Sequence, residues 1–222
     1  MNASLLYRFK SRRFAGLLLA ERLLRLEEEP NAIVLALPRG GVPVGYEIAR
    51  ALHLALDVFQ VRKLGVPGHE ELAMGAIGSG GGRYLNREVI DALHISQDEI
   101  ESVTKREKAE LERRERLYRN NRPRRALGGK IAIVVDDGVA TGSSMFAAIE
   151  TLRSERVERI VVAVPVGPIE TCERIAAMAD ELICLRMPEP FYAVGTWYER
   201  FEQVDDDEVN ALLADAEKRS VP

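Results

Sequence analysis

The sequence has little cysteine and no long hydrophobic run, and both absences narrow the class of protein. Only Cys172 and Cys184 are present, and a single spacing of twelve residues fits neither a disulfide framework nor the paired motifs of a metal site. No apolar run approaches the roughly 18 residues that a transmembrane helix needs. We therefore expect a soluble protein in a reducing compartment, with a cytoplasmic location.

Neither sign of charge dominates the chain as a whole. The formal net charge is -4 over 222 residues, of which 30% are charged and 46% hydrophobic. This balance gives no general reason to expect a nucleic-acid or membrane partner, and the apolar content suffices for one sizeable core. We expect a single domain over residues 1–222, working on small molecules.

Short runs of branched aliphatic residues alternate with helical stretches along the chain. Continuous apolar runs of this kind are typical of strands buried on both faces, and strand–helix alternation predicts a parallel sheet. The fold class predicted is α/β, a doubly wound parallel sheet with a helical N-terminal segment. The predicted strands are 32–37, 57–62, 131–135, 159–164 and 181–185, and the predicted helices are 44–52, 143–154 and 168–178.

Two segments depart from this alternation. Residues 87–125 form an insertion whose core, Gln97–Arg119, is predicted as a long, mostly solvated helix with a thin apolar stripe. Residues 186–222 carry an aromatic cluster and are predicted as a small C-terminal hood. The insertion is locally basic and the segment after residue 199 is acidic; this asymmetry indicates either solvated helix faces or a surface that pairs subunits or attracts a polyanion.

The predicted strand 131–135 runs directly into two adjacent carboxylates, Asp136 and Asp137, and then into a Gly-rich turn that opens a helix. Glycines permit close backbone approach, and hydroxyls beside a helix N-terminus form a phosphate cradle. Carboxylates at its entrance can accept hydrogen bonds from a sugar diol. The structural alternative, a polar turn followed by an ordinary helix cap, explains single residues better than it explains the whole string.

The string Val134–Ser144, two hydrophobics, two acids and a short loop ending in Thr-Gly, resembles the phosphoribosyl pyrophosphate (PRPP) signature of the phosphoribosyltransferases. The resemblance implies a fold of that type and Mg²⁺ carried with PRPP, with Asp136 and Asp137 assisting the metal indirectly. It also implies catalytic roles for Asp136, Asp137, Lys63 and Arg62. The implied PRPP-binding residues are Arg39, Gly40, Gly41, Asp136, Asp137, Gly138, Val139, Ala140, Thr141, Gly142, Ser143 and Ser144.

Two further segments stand where the family places the pyrophosphate. Residues 37–43 follow the first predicted strand, and Arg39 with two glycines suits close contact with a diphosphate. The second predicted strand ends in Arg62 and Lys63, which the resemblance places against the leaving group, followed by a Gly-rich stretch up to Gly82 expected as a mobile lid. Taken singly, each segment has an ordinary structural explanation, as a turn or a solvated strand end.

The acceptor of the phosphoribosyl group is left open by the sequence. Tyr192, just before Val194-Gly195, stands in the register of the base-stacking aromatic of purine enzymes, although aromatic clusters are more often core. Ala140 occupies the position of the catalytic aspartate of 6-oxopurine enzymes, and residues 181–191 lack their lysine. Hypoxanthine and guanine are therefore disfavoured as acceptors.

The predicted function is transfer of a 5-phosphoribosyl group from PRPP to a nucleobase-like or amine acceptor, with release of pyrophosphate. We also expect a homo-oligomer. The alternative function is a non-catalytic PRPP sensor, which would not require Arg62, Lys63 and a lid. A phosphatase with an aspartate nucleophile is disfavoured because its two acids are separated by one residue, whereas Asp136 and Asp137 are adjacent.

Overall fold

A computed structural model describes residues 8–119 and 125–220. Its main sheet has five parallel strands: β1 (Ala32–Ala36), β2 (Ala55–Val58), β6 (Ile131–Val135), β7 (Arg159–Val166) and β8 (Glu181–Arg186). Every residue of β1, and four of the five in β6, are buried, which explains why their sequences are continuous and not alternating. The order of the strands across the sheet is β2-β1-β6-β7-β8.

Helices cover both faces of this sheet. Successive side chains of β1 point to opposite sides, so Val34 belongs to one apolar cluster and Leu35 to the other. The first face carries α1 (Arg12–Arg22), α2 (Gly41–Ala51) and α7 (Asp206–Ser220), and the second carries α5 (Ser143–Ser154) and α6 (Ile169–Met178). The predicted α/β fold with a doubly wound parallel sheet is confirmed.

A second, antiparallel sheet follows β2. Its strands are β3 (Val61–Val66), β4 (His69–Gly78) and β5 (Arg83–Leu85), and two helices follow, α3 (Arg87–Ala92) and α4 (Gln97–Arg119). These elements share a small core of their own. Its members are Leu64, Val66, Met74, Ile77, Ile90, Ile100, Val103 and Leu111.

The prediction of one strand over residues 57–62 was wrong, and the Gly-rich stretch predicted as a loop contains β4. Its mobility as a lid stays a prediction. Strand β2 of the main sheet ends at Val58, and Phe59 N donates to Ala36 O just beyond it. The chain then enters the second sheet as β3. The glycines permit strands to approach closely: a Cβ at Gly65 would lie 2.6 Å from Glu70 O, and one at Gly75 would lie 2.3 Å from Tyr84 O. Glycine therefore marks an irregular ladder here, with register shifts beside Gly65.

The long charged helix is present as predicted, and its apolar stripe faces the small core and α7. Ile100, Val103, Leu111 and Tyr118 are buried, whereas Leu117 is exposed. Near the end of α4, the Tyr118 hydroxyl donates to Asp206 Oδ1 of α7 at 2.7 Å. The basic and acidic segments thus meet within one chain. The basic residues Arg122 and Arg124 lie outside the described residues.

The N-terminal segment and the segment after β8 join at the carboxyl end of the main sheet. Ser11 caps α1 by accepting from Phe14 N, and Phe9 forms an isolated parallel bridge with Tyr198. The thiols of Cys172 and Cys184, twelve residues apart along the chain, are free and lie 3.6 Å apart between α6 and β8. Within residues 8–119 and 125–220, no helix has the length and apolar character needed to cross a membrane.

Candidate functional site

The candidate site lies at the carboxyl ends of β1 and β6, which are neighbours in the sheet. Ala36 is paired with Val135, and Leu37 N donates to Val135 O at 2.8 Å. The loops that follow these strands therefore begin side by side. This is the edge at which open α/β sheets bind ligands.

Close contact between the two loops requires glycine. A Cβ at Gly40 would lie 2.0 Å from Asp137 Oδ2, and one at Gly41 would lie 2.6 Å from Val135 O. Gly41 also begins α2, so the helix N-terminus, where amide groups have no intrahelical partner, is directed at this edge. The peptide bond between Pro38 and Arg39 is cis.

Asp136 and Asp137 are held in a largely buried position. Burial raises the pKa of the Asp136 carboxyl well above its ordinary value, and the charge of Asp137 raises it further. Burial also raises the pKa of Asp137, although the guanidinium of Arg12 opposes that shift. Asp137 N donates to Asp136 Oδ1 at 2.8 Å, and the Tyr198 hydroxyl donates to Asp137 O at 2.6 Å.

Arg12 is a site residue to which sequence reasoning assigned no role. Its Nε donates to Asp137 Oδ2 at 2.7 Å, and another guanidinium nitrogen donates to Glu202 O. The guanidinium carbon stacks 3.7 Å from the centre of the Phe201 ring. The contact with Asp137 spans 125 positions, so only the concentration of arginines near the N-terminus hinted at it.

The loop predicted as a phosphate cradle leads directly into α5. Gly142 adopts the left-handed conformation with φ 73°, and α5 begins immediately after it. The hydroxyls of Thr141 and Ser143 lie 3.1 Å apart beside the first amide groups of α5. Thr171 braces the loop by donating its hydroxyl to Ala140 O at 2.9 Å. Hydroxyl donors and helix amides together suit a phosphate.

The remaining loop residues act through packing. Val139 is buried, and its N–H donates to Val166 O at 2.9 Å, which fastens the loop to β7. Gly138 lies against the hood, because a Cβ there would be 2.6 Å from a methyl carbon of Val194. Both residues fix the path of the backbone between the acids and the cradle.

A polar cavity of about 530 Å³ opens beside the acids. It contains Asp136 and Ser144 from the β6 loop and Arg39 from the β1 loop, so three of the predicted PRPP-binding residues share one space. Its other lining residues include Phe59, Gln60, Arg113, Arg114, Tyr118 and Asp206. The α4 residues among them were not predicted to belong to the site.

Arg62 and Lys63 lie on β3 in the second sheet, and neither lines this cavity. Two nitrogens of the Arg62 guanidinium donate to Glu107 Oε2 of α4, at 2.9 and 2.6 Å. Lys63 is exposed. The structure thus shows Arg62 joining α4 to the second sheet, and the catalytic roles of both residues stay predictions.

Tyr192 lies in the hood segment and is 82% exposed. Val194, two residues later, packs on Gly138 of the signature loop. The hood therefore touches the site through Val194 and Tyr198, whereas the stacking role of Tyr192 stays a prediction.

The acids supply only part of a metal site. Among the described residues, no group of three or more His, Cys, Asp or Glu side chains is placed to hold a metal ion. Asp136 and Asp137 offer oxygen ligands of the kind that Mg²⁺ prefers, and that ion commonly takes its remaining ligands from water and substrate phosphates. The two carboxylates fit a Mg²⁺ ion that arrives with a phosphorylated ligand.

Comparisons with known proteins point to one family. Residues 79–205 match the family model described as phosphoribosyl transferase domain. Two curated Mycobacterium tuberculosis proteins named "Putative phosphoribosyl transferase" are each 46% identical over 205 residues, 92% of this chain and 46% of each relative. The chain therefore spans about half the length of these relatives. The crystal structure of TT1426 from Thermus thermophilus is 45% identical, with a TM-score of 0.85 over 94% of this chain and 98% of that one.

Replacing Asp136 by asparagine should stabilise the folded protein at neutral pH, by roughly 0.5–2 kcal/mol as is usual for single stabilising changes. The pKa of this carboxyl is higher in the folded than in the unfolded chain, so the parent loses stability as the pH rises above the ordinary value of about 3.9. The asparagine variant would lack this loss, and the side-chain oxygen of the new amide can still accept from Asp137 N.

Urea unfolding at about pH 4.5 and about pH 7.5 measures this effect, and the gain should be larger at the higher pH. Asp180→Asn is the matched control, because its hydrogen bond from Arg153 lowers the pKa of Asp180 and the substitution should give no gain. A loss of stability in Asp136→Asn at the higher pH would contradict the electrostatic explanation.

Gly40→Ala should lower the free energy of unfolding by about 1–3 kcal/mol, the usual effect of forcing extra atoms into a packed site. The new methyl group would overlap the Asp137 carboxylate, which Arg12 holds in place. Urea unfolding would measure the loss, with Gly128→Ala as the control because the nearest atom there is 3.8 Å away. Equal effects of the two substitutions would show that the loops do not depend on this contact.

Proposed function

Because the chain belongs to the phosphoribosyl transferase family, we propose that it transfers the 5-phosphoribosyl group of PRPP to a small nucleobase-like or amine acceptor and releases pyrophosphate. The observation that carries this proposal is the convergence of Gly40, Asp137 and the cradle at Gly142 on one edge of the sheet. A sugar with a phosphate at one end and a diphosphate at the other matches that arrangement.

Each part of the site has a proposed task. The amide and hydroxyl groups of residues 141–144 bind the 5-phosphate, as helix N-termini commonly do. Asp136 and Asp137 accept hydrogen bonds from the ribose diol, and Arg39 with the backbone of Gly40 and Gly41 faces the diphosphate. The raised pKa of both acids makes this binding pH-dependent, since the ionised carboxylate is the stronger hydrogen-bond acceptor.

Arg12 fits this proposal as the residue that prepares Asp137 for the ribose. Its guanidinium favours the ionised carboxylate at a position where burial alone would favour the protonated form. The hood and the N-terminal segment are thereby connected to the acid pair.

In the transfer step, a lone pair of the acceptor forms a bond to the anomeric carbon. The bond from that carbon to the pyrophosphate oxygen breaks with its electron pair, and the acceptor proton is released. Mg²⁺ bound with PRPP would neutralise charge on the departing diphosphate. Ala140 offers no base at the cradle, so an acceptor that is already nucleophilic suits the site better than a 6-oxopurine.

A non-catalytic PRPP sensor is the second candidate function. The observation that favours it is the ion pair between Arg62 and Glu107. Arg62 is the cation expected to stabilise the leaving pyrophosphate, and in this structure its guanidinium is bound to Glu107 instead. The donor-binding elements are the same for both functions. Only turnover separates them.

PRPP with Mg²⁺ should raise the melting temperature of the parent chain. A ligand at 100 times its Kd adds about 2.7 kcal/mol, or roughly 5–10 °C for a chain of this size. The double variant Asp136→Asn plus Asp137→Asn should show no such shift, because both diol acceptors are weakened. Thermal scans with and without PRPP measure this, and the absence of any shift in the parent would refute PRPP binding.

Pyrophosphate release from PRPP, measured across a panel of nucleobases and small amines, should separate transferase from sensor. A transferase releases pyrophosphate only with its acceptor, and we expect hypoxanthine and guanine to be inactive because Ala140 replaces the purine-type base. Ala140→Asp is the informative variant, since it restores a carboxylate at that position. Tight PRPP binding without release with any member of the panel would favour the sensor.

A further inference from the structure

The cavity beside the acids extends towards α4 and towards Asp206, the first residue of α7. Its lining begins at Leu37–Arg39 in the β1 loop, continues through Phe59–Val61 between β2 and β3, and reaches one side of α4. Among the described residues, none from 187–205 takes part in this lining. The cavity therefore lies on the Arg39 side of the acids, away from the segment that carries Tyr192.

The side of α4 that borders this cavity carries two adjacent arginines, Arg113 and Arg114. Their side chains are 62% and 47% exposed, and both donate to the carboxylate of Glu110 one turn earlier. Exposed pairs within one helix are weak, because water and salt screen them. An anion entering the cavity can therefore readily recruit one or both guanidinium groups from Glu110.

Gln60 lies between β2 and β3 and belongs to the lining of the same cavity. The residue is buried, since only 5% of its surface is exposed, and its carboxamide Nε2 has no hydrogen-bond partner among the described residues. Its backbone is fixed, because Gln60 N donates to Ser79 Oγ and Gln60 O accepts from Ser79 N. Because this nitrogen is itself buried, Gln60 shapes the wall of the cavity, and the side-chain donors that face the cavity are those of the arginines.

The helix that carries the arginines is anchored at both sides of them. Glu107 receives two hydrogen bonds from Arg62 of β3, Leu111 is buried, and Tyr118 donates to Asp206 of α7. Burial raises the pKa of Tyr118 to about 12, so its hydroxyl keeps the proton that it donates to Asp206. Arg113 and Arg114 thus stand on a helix whose position is set before any ligand arrives.

Building on the proposed function, we propose that Arg113 and Arg114 of the inserted helix bind the pyrophosphate end of PRPP. Guanidinium groups pair well with the paired oxygens of phosphates, and Arg39 approaches the same space from the β1 loop. In this arrangement α4 supplies the positive charge for the leaving group. Arg62, engaged by Glu107, positions that helix.

Isothermal titration calorimetry with Mg²⁺ and three ligands tests the proposal: PRPP, inorganic pyrophosphate and ribose 5-phosphate. Arg113→Gln plus Arg114→Gln should weaken PRPP and pyrophosphate binding by about 10- to 100-fold, the range expected for lost charge-assisted hydrogen bonds. Ribose 5-phosphate affinity should stay unchanged, because the acids and cradle are intact. Arg113→Lys plus Arg114→Lys keeps the charge and should recover part of the loss.

Arg116→Gln is the matched control, since Arg116 lies on the same helix, is exposed and does not line the cavity. It should leave all three affinities unchanged. If the parent binds PRPP and the double glutamine variant retains pyrophosphate affinity, this inference is wrong and the proposed function survives. Loss of ribose 5-phosphate affinity in that variant would also overturn it, and a parent that fails to bind PRPP would overturn both proposals.

Discussion

Two adjacent carboxylates buried at the end of β6 impose a constraint on everything around them. Like charges that have lost most of their water destabilise the fold, and the raised pKa values of Asp136 and Asp137 express that destabilisation. The surrounding structure offsets part of it: Arg12 donates to Asp137, and the backbone N–H of Asp137 donates to Asp136. Two acids held in this way carry an electrostatic cost in the folded chain, of the kind that natural proteins often retain at functional sites.

The same constraint explains why distant segments converge here. Arg12 precedes the first strand, Tyr198 follows the last one, and Gly40 belongs to the loop after β1, yet all three contact Asp137. Phe9 and Tyr198 bridge, and Arg12 stacks on Phe201, so the hood and the N-terminal segment are held to each other as well as to the acid. Loss of the Arg12 contact would raise the pKa of Asp137 further, because the guanidinium opposes the effect of burial.

Sequence reasoning succeeded where the signal is local. β1 and β6 are recognisable because five-residue aliphatic runs suit strands buried on both faces, and the cradle follows from Gly142, two neighbouring hydroxyls and a helix start within a few positions. Sequence reasoning failed for residues 57–82, where it predicted one strand followed by a Gly-rich loop. Gly65 and Gly75 are instead required by backbone atoms of the facing strand, and no local pattern reveals which atoms those are. The role of Arg12 depends on a contact with Asp137 that spans 125 positions along the chain.

The unexpected part of the fold is the use made of the charged insertion. Basic α4 and acidic α7 meet at Tyr118 and Asp206, and Arg39 of the β1 loop approaches the same Asp206 at 4.0 Å. Charge runs that looked like solvated faces are thus organised partly around the candidate site. Arg62 is engaged by Glu107, whereas Arg39 and the exposed arginines of α4 border the cavity. Because α4 is anchored by Arg62 and Asp206, its exposed arginines bring positive charge to the edge of this cavity without any reordering of the backbone.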